Sequence, residues 1–85
     1  SDLSDYIAIL DEQIELLKAE RLEKARWYQK IERQIRQIKN EDEQEVLRLR
    51  YIIGLKWEEV ALNMSYSWKH IHRIHSSALC NFKMT

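Results

Sequence analysis

An all-α fold is predicted by three observations. The 85 residues contain one Gly and no Pro, so residues that interrupt helices are almost missing. Apolar side chains recur at steps of three and four, not two. Ser, Asp and Asn stand where helices would begin, and the single Gly stands where one would end. The predicted architecture is a long, coiled-coil-like N-terminal helix over residues 1–40, followed by a helix-turn-helix domain over residues 41–85.

The first helix is predicted because no Gly, Pro or Ser interrupts Asp5–Lys39. Ser4 or Asp5 can cap its start, and Asn40 with the acids behind it marks its end. Leu3, Ile7, Leu10, Ile14, Leu17, Tyr28, Ile31, Ile35 and Ile38 fall on one heptad seam. A helix of this length spans about 54 Å at ~1.5 Å per residue. That is more than one small domain can cover, so the seam is expected to meet the same helix of a second chain. These nine residues are the candidate dimerisation residues. Arg21 and Lys24 occupy seam positions where the heptad wants apolar groups. They form a register-fixing polar layer, mark a bend, or signal a hairpin turn near residues 19–25. That segment, AERLEKA, contains only good helix formers.

The second helix, Glu41–Ile53, gathers its acids in the first turn, where the helix dipole favours them. Gly54 is its expected left-handed stop. A third helix is predicted from Lys56 or Trp57 to Met64, then a polar turn over Asn63–Tyr66. Ser67 caps a last helix running to about Phe82, with Ile71, Ile74, Ala78, Leu79 and Phe82 inward. Arg50 is expected to pair with Glu58 or Glu59. Cys80 is read as a small buried hydrophobe.

Charge is neutral overall but uneven. Residues 41–59 hold six acids and three bases, whereas residues 60–85 hold no acid and carry Lys69, Arg73, Lys83 and all three histidines. A short helix, a turn and an acid-free helix match what a major groove about 12 Å wide, lined by phosphates, would demand. Ser65, Tyr66 and Ser67 are the candidate phosphate contacts, with His70 beside them. Trp68, Lys69, His72 and Arg73 are the candidates for reaching base edges.

Other chemistries find little footing. His70 and His72 point about 200° apart on a helix, so no metal site is expected. No Gly-rich phosphate loop or nucleophile–base spacing occurs, so neither enzymatic activity nor a cofactor is expected. The lone Cys80 excludes an internal disulfide and favours a reducing, cytoplasmic setting. No apolar run reaches the ~20 residues of a membrane helix, and no signal peptide is visible. The chain begins at Ser1 without Met, so the native start can lie upstream.

The run EVLRLRYIIGLKWEEVALNMSYSWKHIHRIHSSAL, residues 45–79, resembles the helix-turn-helix of region 4 of bacterial sigma-70 factors. It more closely resembles small phage and prophage transcriptional regulators that carry such a domain behind a helical segment. Val46, Leu47, Leu49, Arg50, Tyr51 and Gly54 carry the match in its first helix. Trp57, Glu58, Glu59, Val60 and Ala61 carry it in the second. Tyr66, Ser67, Ile71, Arg73, Ile74, His75, Ala78 and Leu79 complete it. The resemblance implies a regulator of phage genes that binds double-stranded DNA in a bacterial host cell, with base readout by Trp68, Lys69, His72 and Arg73. The heptad seam implies that it does so as a homodimer. Sigma factors often have Arg at the position of Trp68 and Glu at that of Lys69, so a different DNA element would be read. Two other readings stand beside it. One is a module that docks on RNA polymerase or a sigma factor without reading DNA. The other is a structural coiled-coil subunit.

Overall fold

The computed structural model describes residues 2–82 and is helical throughout its regular elements. α1 spans Leu3–Arg36, α2 Glu41–Leu47, α3 Trp57–Met64 and α4 Trp68–Asn81. α2 runs without a break into a π-helical segment, Arg48–Ile53. The molecule is elongated, 59 × 29 × 15 Å, because α1 extends well past the other helices. Lys83 lies outside the described residues.

α1 is continuous through residues 19–25, which removes the hairpin alternative. Its cap is Asp2 rather than Ser4 or Asp5. The Asp2 carboxylate accepts the Asp5 N–H, and the Asp5 carboxylate accepts the Asp2 N–H. The helix stops at Arg36, earlier than Asn40, and Asn40 instead caps α2 by accepting the Glu43 N–H at 3.0 Å. The intervening turn is held by Gln44, whose amide donates to the carbonyls of Arg36 and Ile38, both at 3.0 Å. Those carbonyls would otherwise be orphans of a helix end.

Two apolar clusters make the core. Val46, Leu49, Val60, Ile71 and Ile74 join α2, α3 and α4, with Trp57, Met64 and Tyr66 packed around them. Ile35, Ile38, Leu47 and Ala78 join the end of α1 to α2 and α4, with Ile31, Ile52 and Phe82 beside them. α2 therefore serves both clusters from opposite sides. A buried carboxylate fastens α4 across it: Glu43 accepts from Ser77 Oγ at 3.3 Å and from Asn81 Nδ2 at 2.7 Å.

Gly54 ends the π-helical segment at φ 88°, and the Gly54 and Leu55 N–H groups both donate to the Leu49 carbonyl. Only glycine adopts that conformation without strain. Arg50 meets neither Glu58 nor Glu59. Its guanidinium donates to the Leu55 carbonyl at 2.8 Å and lies 4.9 Å from the centre of the Trp57 ring. The Gly54 turn carries the Leu55 carbonyl to the arginine, and that removes the need for a carboxylate.

The nine seam residues divide. Leu3, Ile7, Leu10, Ile14, Leu17 and Tyr28 are exposed, whereas Ile35 and Ile38 are buried in their own chain and Ile31 is partly so. Ile35 and Ile38 are therefore core residues and not open seam positions. Where α1 meets the other helices, Trp27, Ile31, Ile35, Leu47, Tyr51, Leu79 and Phe82 line an open apolar groove of about 400 Å³.

Candidate nucleic-acid interface

α3 and α4 are joined by a turn of three residues, Ser65–Ser67. Ser65 takes the left-handed conformation, φ 58°, and ends α3. The Tyr66 N–H reaches back to the Ala61 carbonyl at 3.1 Å, which completes the cap. The Ser67 hydroxyl accepts the His70 N–H at 3.1 Å and starts α4 as predicted. At the start of α3, the Glu59 carboxylate accepts the Lys56 N–H at 2.9 Å. Each end of the pair is thus set by local hydrogen bonds, and the apolar cluster fixes how the helices face.

Lys69 and Arg73 stand exposed on the outward side of α4, one turn apart. Ser76 shares that side and was not among the sequence candidates, although its i+7 spacing from Lys69 carries the signal. Cys80 lies on the same line and is exposed, contrary to expectation. Nine residues separate it from Ile71, about 180° around a helix, so it faces away from the core. Ser65 and Ser67 are exposed at the N-terminal end of α4.

The other candidates are engaged inside the protein. The Tyr66 hydroxyl donates to Asp42 Oδ2 at 2.7 Å, tying the turn to α2, and is not free for phosphate. That hydrogen bond, then the charge of Asp42, raises the Tyr66 pKa above its ordinary value. His70 is partly buried, with its ring edge-on to Tyr66 at 4.6 Å. His72 does not point outward to base edges. Its ring lies between Trp68 at 3.8 Å and Trp57 at 4.7 Å, and its Nε2 is buried with no hydrogen-bond partner. The reason is angular: His72 follows Trp68 by one turn, so both lie on the flank that meets α3. Trp68 remains 58% exposed while resting on His72, not on Tyr66.

His75 extends this aromatic row. Its ring lies 4.7 Å from Trp57, and its Nε2 is 2.9 Å from the Tyr51 hydroxyl. Burial first, then the charges of His72 and Arg50, holds its pKa below the ordinary histidine value. Arg50, Trp57, the two histidines and Trp68 therefore form one stacked flank that braces α4 against α3. What stays open is the narrower outer line of Lys69, Arg73 and Ser76.

Among the described residues, no three His, Cys, Asp or Glu side chains are grouped so that they could hold a metal ion. No helix among them is long and apolar enough to cross a membrane.

A family model described as a protein of unknown function, DUF1492, matches residues 2–83. The chain belongs to that family. The DUF1492 match takes in α1 together with the α3–α4 pair, so the long helix and the compact helices belong to one family unit. No curated protein and no solved structure matches the chain.

Proposed function

We propose that this DUF1492 protein is a sequence-specific DNA-binding regulator of transcription, of phage or prophage type, that self-associates through α1 and lays α4 in the major groove. The observation that carries this reading is the outer line of α4. Lys69, Arg73 and Ser76 are exposed there, and no carboxylate occurs anywhere in residues 60–82. Phosphates flank a groove of about 12 Å on both sides and would repel acids on that face. Arg and Lys donate most often to guanine O6 and N7. The first N–H groups of α4, with Ser65 and Ser67, suit a phosphate at the helix N-terminus. Arg73 and Lys69 lead base readout, and Trp68 contributes an apolar edge. On this reading the protein is no enzyme, needs no cofactor and works in the bacterial cytoplasm.

Fluorescence anisotropy of a labelled duplex at several salt concentrations tests it. Affinity is expected to fall log-linearly with salt. Lys69→Ala/Arg73→Ala should weaken binding and relax the preference among duplex sequences. No binding at low salt overturns the reading.

One observation favours docking on RNA polymerase or a sigma factor instead. Leu62 is 81% exposed on α3, beside Trp68 and with Glu58 nearby. Leu62, Ala61 and Trp68 together make an apolar patch, rimmed by Glu58 and Ser65, that suits a protein partner. Under that reading the native chain is captured by polymerase but binds no duplex at low salt, and Leu62→Glu abolishes the capture.

A further inference from the structure

Every residue from Asp2 to Gln29 is exposed. Within that stretch eleven large apolar side chains face solvent, from Leu3 at 72% exposure to Tyr28 at 53%. A monomeric protein seldom leaves so continuous an apolar face uncovered. The same helix, at its other end, walls an open apolar groove. Trp27 and Ile31 form one side, and Tyr51, Leu79 and Phe82 form the other. One chain thus carries an apolar rod and an apolar slot on the same helix seam.

Charge orients the two. Residues 2–17 contain five acids and no base, whereas residues 18–39 contain eight bases and three acids. α1 is therefore negative along its N-terminal half and positive along the rest. Parallel pairing of two α1 helices would set like charge beside like charge over their whole length. Antiparallel pairing sets the acidic half of one helix beside the basic half of the other, and only the Arg21–Lys24 layer at the crossing meets like charge. Lys30, whose ammonium lies 5.4 Å from the Trp27 ring centre, adds a cation at the groove rim.

We infer that the groove between the end of α1, α2 and α4 seats the N-terminal half of α1 from a second copy, the two α1 helices lying antiparallel about a two-fold axis. This deepens the self-association part of the reading above and does not depend on DNA binding. The heptad fixes the register. Ile14 lies over Ile31 and Leu17 over Tyr28, and Leu10 falls at the level of Ile35, which is buried in its own chain and forms only the groove floor. This leaves Arg21 of each chain opposite Lys24 of the other. Sliding one heptad either way drives Arg21 or Lys24 against an apolar residue. In the chosen register the polar layer faces itself, flanked by Glu20 and Glu23. The apolar face of the N-terminal half is broader than a two-stranded seam, because Tyr6, Ile9 and Leu16 lie beside it. A plain coiled coil has no use for that second stripe. The far wall of the groove, Tyr51, Leu79 and Phe82, gives it a surface to meet. Both copies use rod and slot alike, so the contact closes on itself as a dimer. About 27 residues separate the two domain attachments along the coil, on the order of 40 Å at ~1.5 Å each.

Disulfide mapping tests the arrangement in the full chain carrying Cys80→Ser, Ile14→Cys and Ile31→Cys. On one straight helix these two thiols are about 25 Å apart at ~1.5 Å per residue, too far to bond within a chain. The expected result is a covalent dimer whose digest contains the 14–31 linked peptide. A digest containing only 14–14 and 31–31 links overturns the antiparallel arrangement and leaves self-association standing. Light scattering of the native chain separates the two ideas: a monomer at every concentration overturns both. Leu79→Arg, at the exposed groove wall, supplies a readout free of cysteine chemistry. It should weaken dimerisation at least tenfold with unchanged helical circular dichroism, and undiminished dimerisation overturns the groove as the seat. Raising salt should loosen the native dimer, because acid faces base across it. Tightening with salt would mark the like-charged, parallel pairing and overturn the inference.

Discussion

Residues 31–82 and residues 2–29 carry apolar side chains at comparable helical spacing, yet they treat them differently. In the first region Val46, Val60 and Ile71 are fully buried, and four helical elements close around them. In the second, leucines and isoleucines lie half in water on a single helix. Short helices joined by tight turns can fold back on one another, and a straight helix of 34 residues cannot. The compact part satisfies its hydrophobic surface within the chain, and the long helix presents its surface to something else. Periodicity alone does not tell a stripe that is covered by its own chain from one that is not.

The largest expected effect separates the regions by their dependence on concentration. Ile71→Ala empties a site with no solvent exposure and should cost about 2–5 kcal/mol. Its shift of the urea midpoint should be the same in dilute and concentrated protein. Ile14→Ala removes a side chain that is 40% exposed in the single chain. Its effect should grow or shrink with protein concentration, because only association buries it. A concentration-independent loss from Ile14→Ala would break the comparison, since the N-terminal half would then be held by its own chain.

Much of the compact region is legible in the sequence. Ser67 as a cap, Gly54 as a stop and the bounds of α3 and α4 follow from local hydrogen bonding and backbone preference, which act over four residues. Residues whose role depends on a distant partner were not legible. Asn40 was read as the end of α1, but the Gln44 amide closes that helix at Arg36 from the next element. His72 and Tyr66 were placed on the DNA-facing side, but Trp57 and Asp42, 15 and 24 residues away in sequence, draw them inward. Leu79 was placed in the core with Ile71, yet eight residues rotate it about 80° to the groove edge. It is 51% exposed. Lys69 and Arg73 were read correctly as exposed because no other element reaches their side of α4.

A smaller effect, dependent on pH, sharpens the account of the aromatic flank. His75 has its pKa held below its ordinary value of 6.5, chiefly by burial. Its neutral form is the one the fold accepts. The stability it contributes is complete above 6.5 and is lost as pH falls through its lower folded value. Tyr66 acts at the other end. Its pKa is raised above 10.0 by the bond to Asp42, so its contribution is present below 10.0 and lost as pH rises through the raised value. The urea midpoint should therefore decline on both sides of a neutral plateau. His75→Gln should flatten the acid limb below the ordinary value of 6.5, and Tyr66→Phe should flatten the alkaline one above 10.0. An acid limb unchanged in His75→Gln would show that the flank tolerates a charged imidazole.

The smallest effect concerns Ser65, the non-glycine residue in left-handed backbone among those described. An L side chain pays roughly 1–2 kcal/mol in that region, and glycine pays none but loses more freedom on folding. The difference favours Ser65→Gly by about 0.5 kcal/mol. With a urea slope of about 1–3 kcal/mol per molar, the midpoint should rise by a few tenths molar. The same variant then divides two roles of the turn. If the backbone N–H groups at the start of α4 hold a phosphate, duplex affinity survives the loss of the hydroxyl. If affinity falls while stability rises, the Ser65 side chain itself makes the contact. A fall in stability would mean that the hydroxyl holds the turn, and the strain assigned to Ser65 would then be offset by a bond of its own.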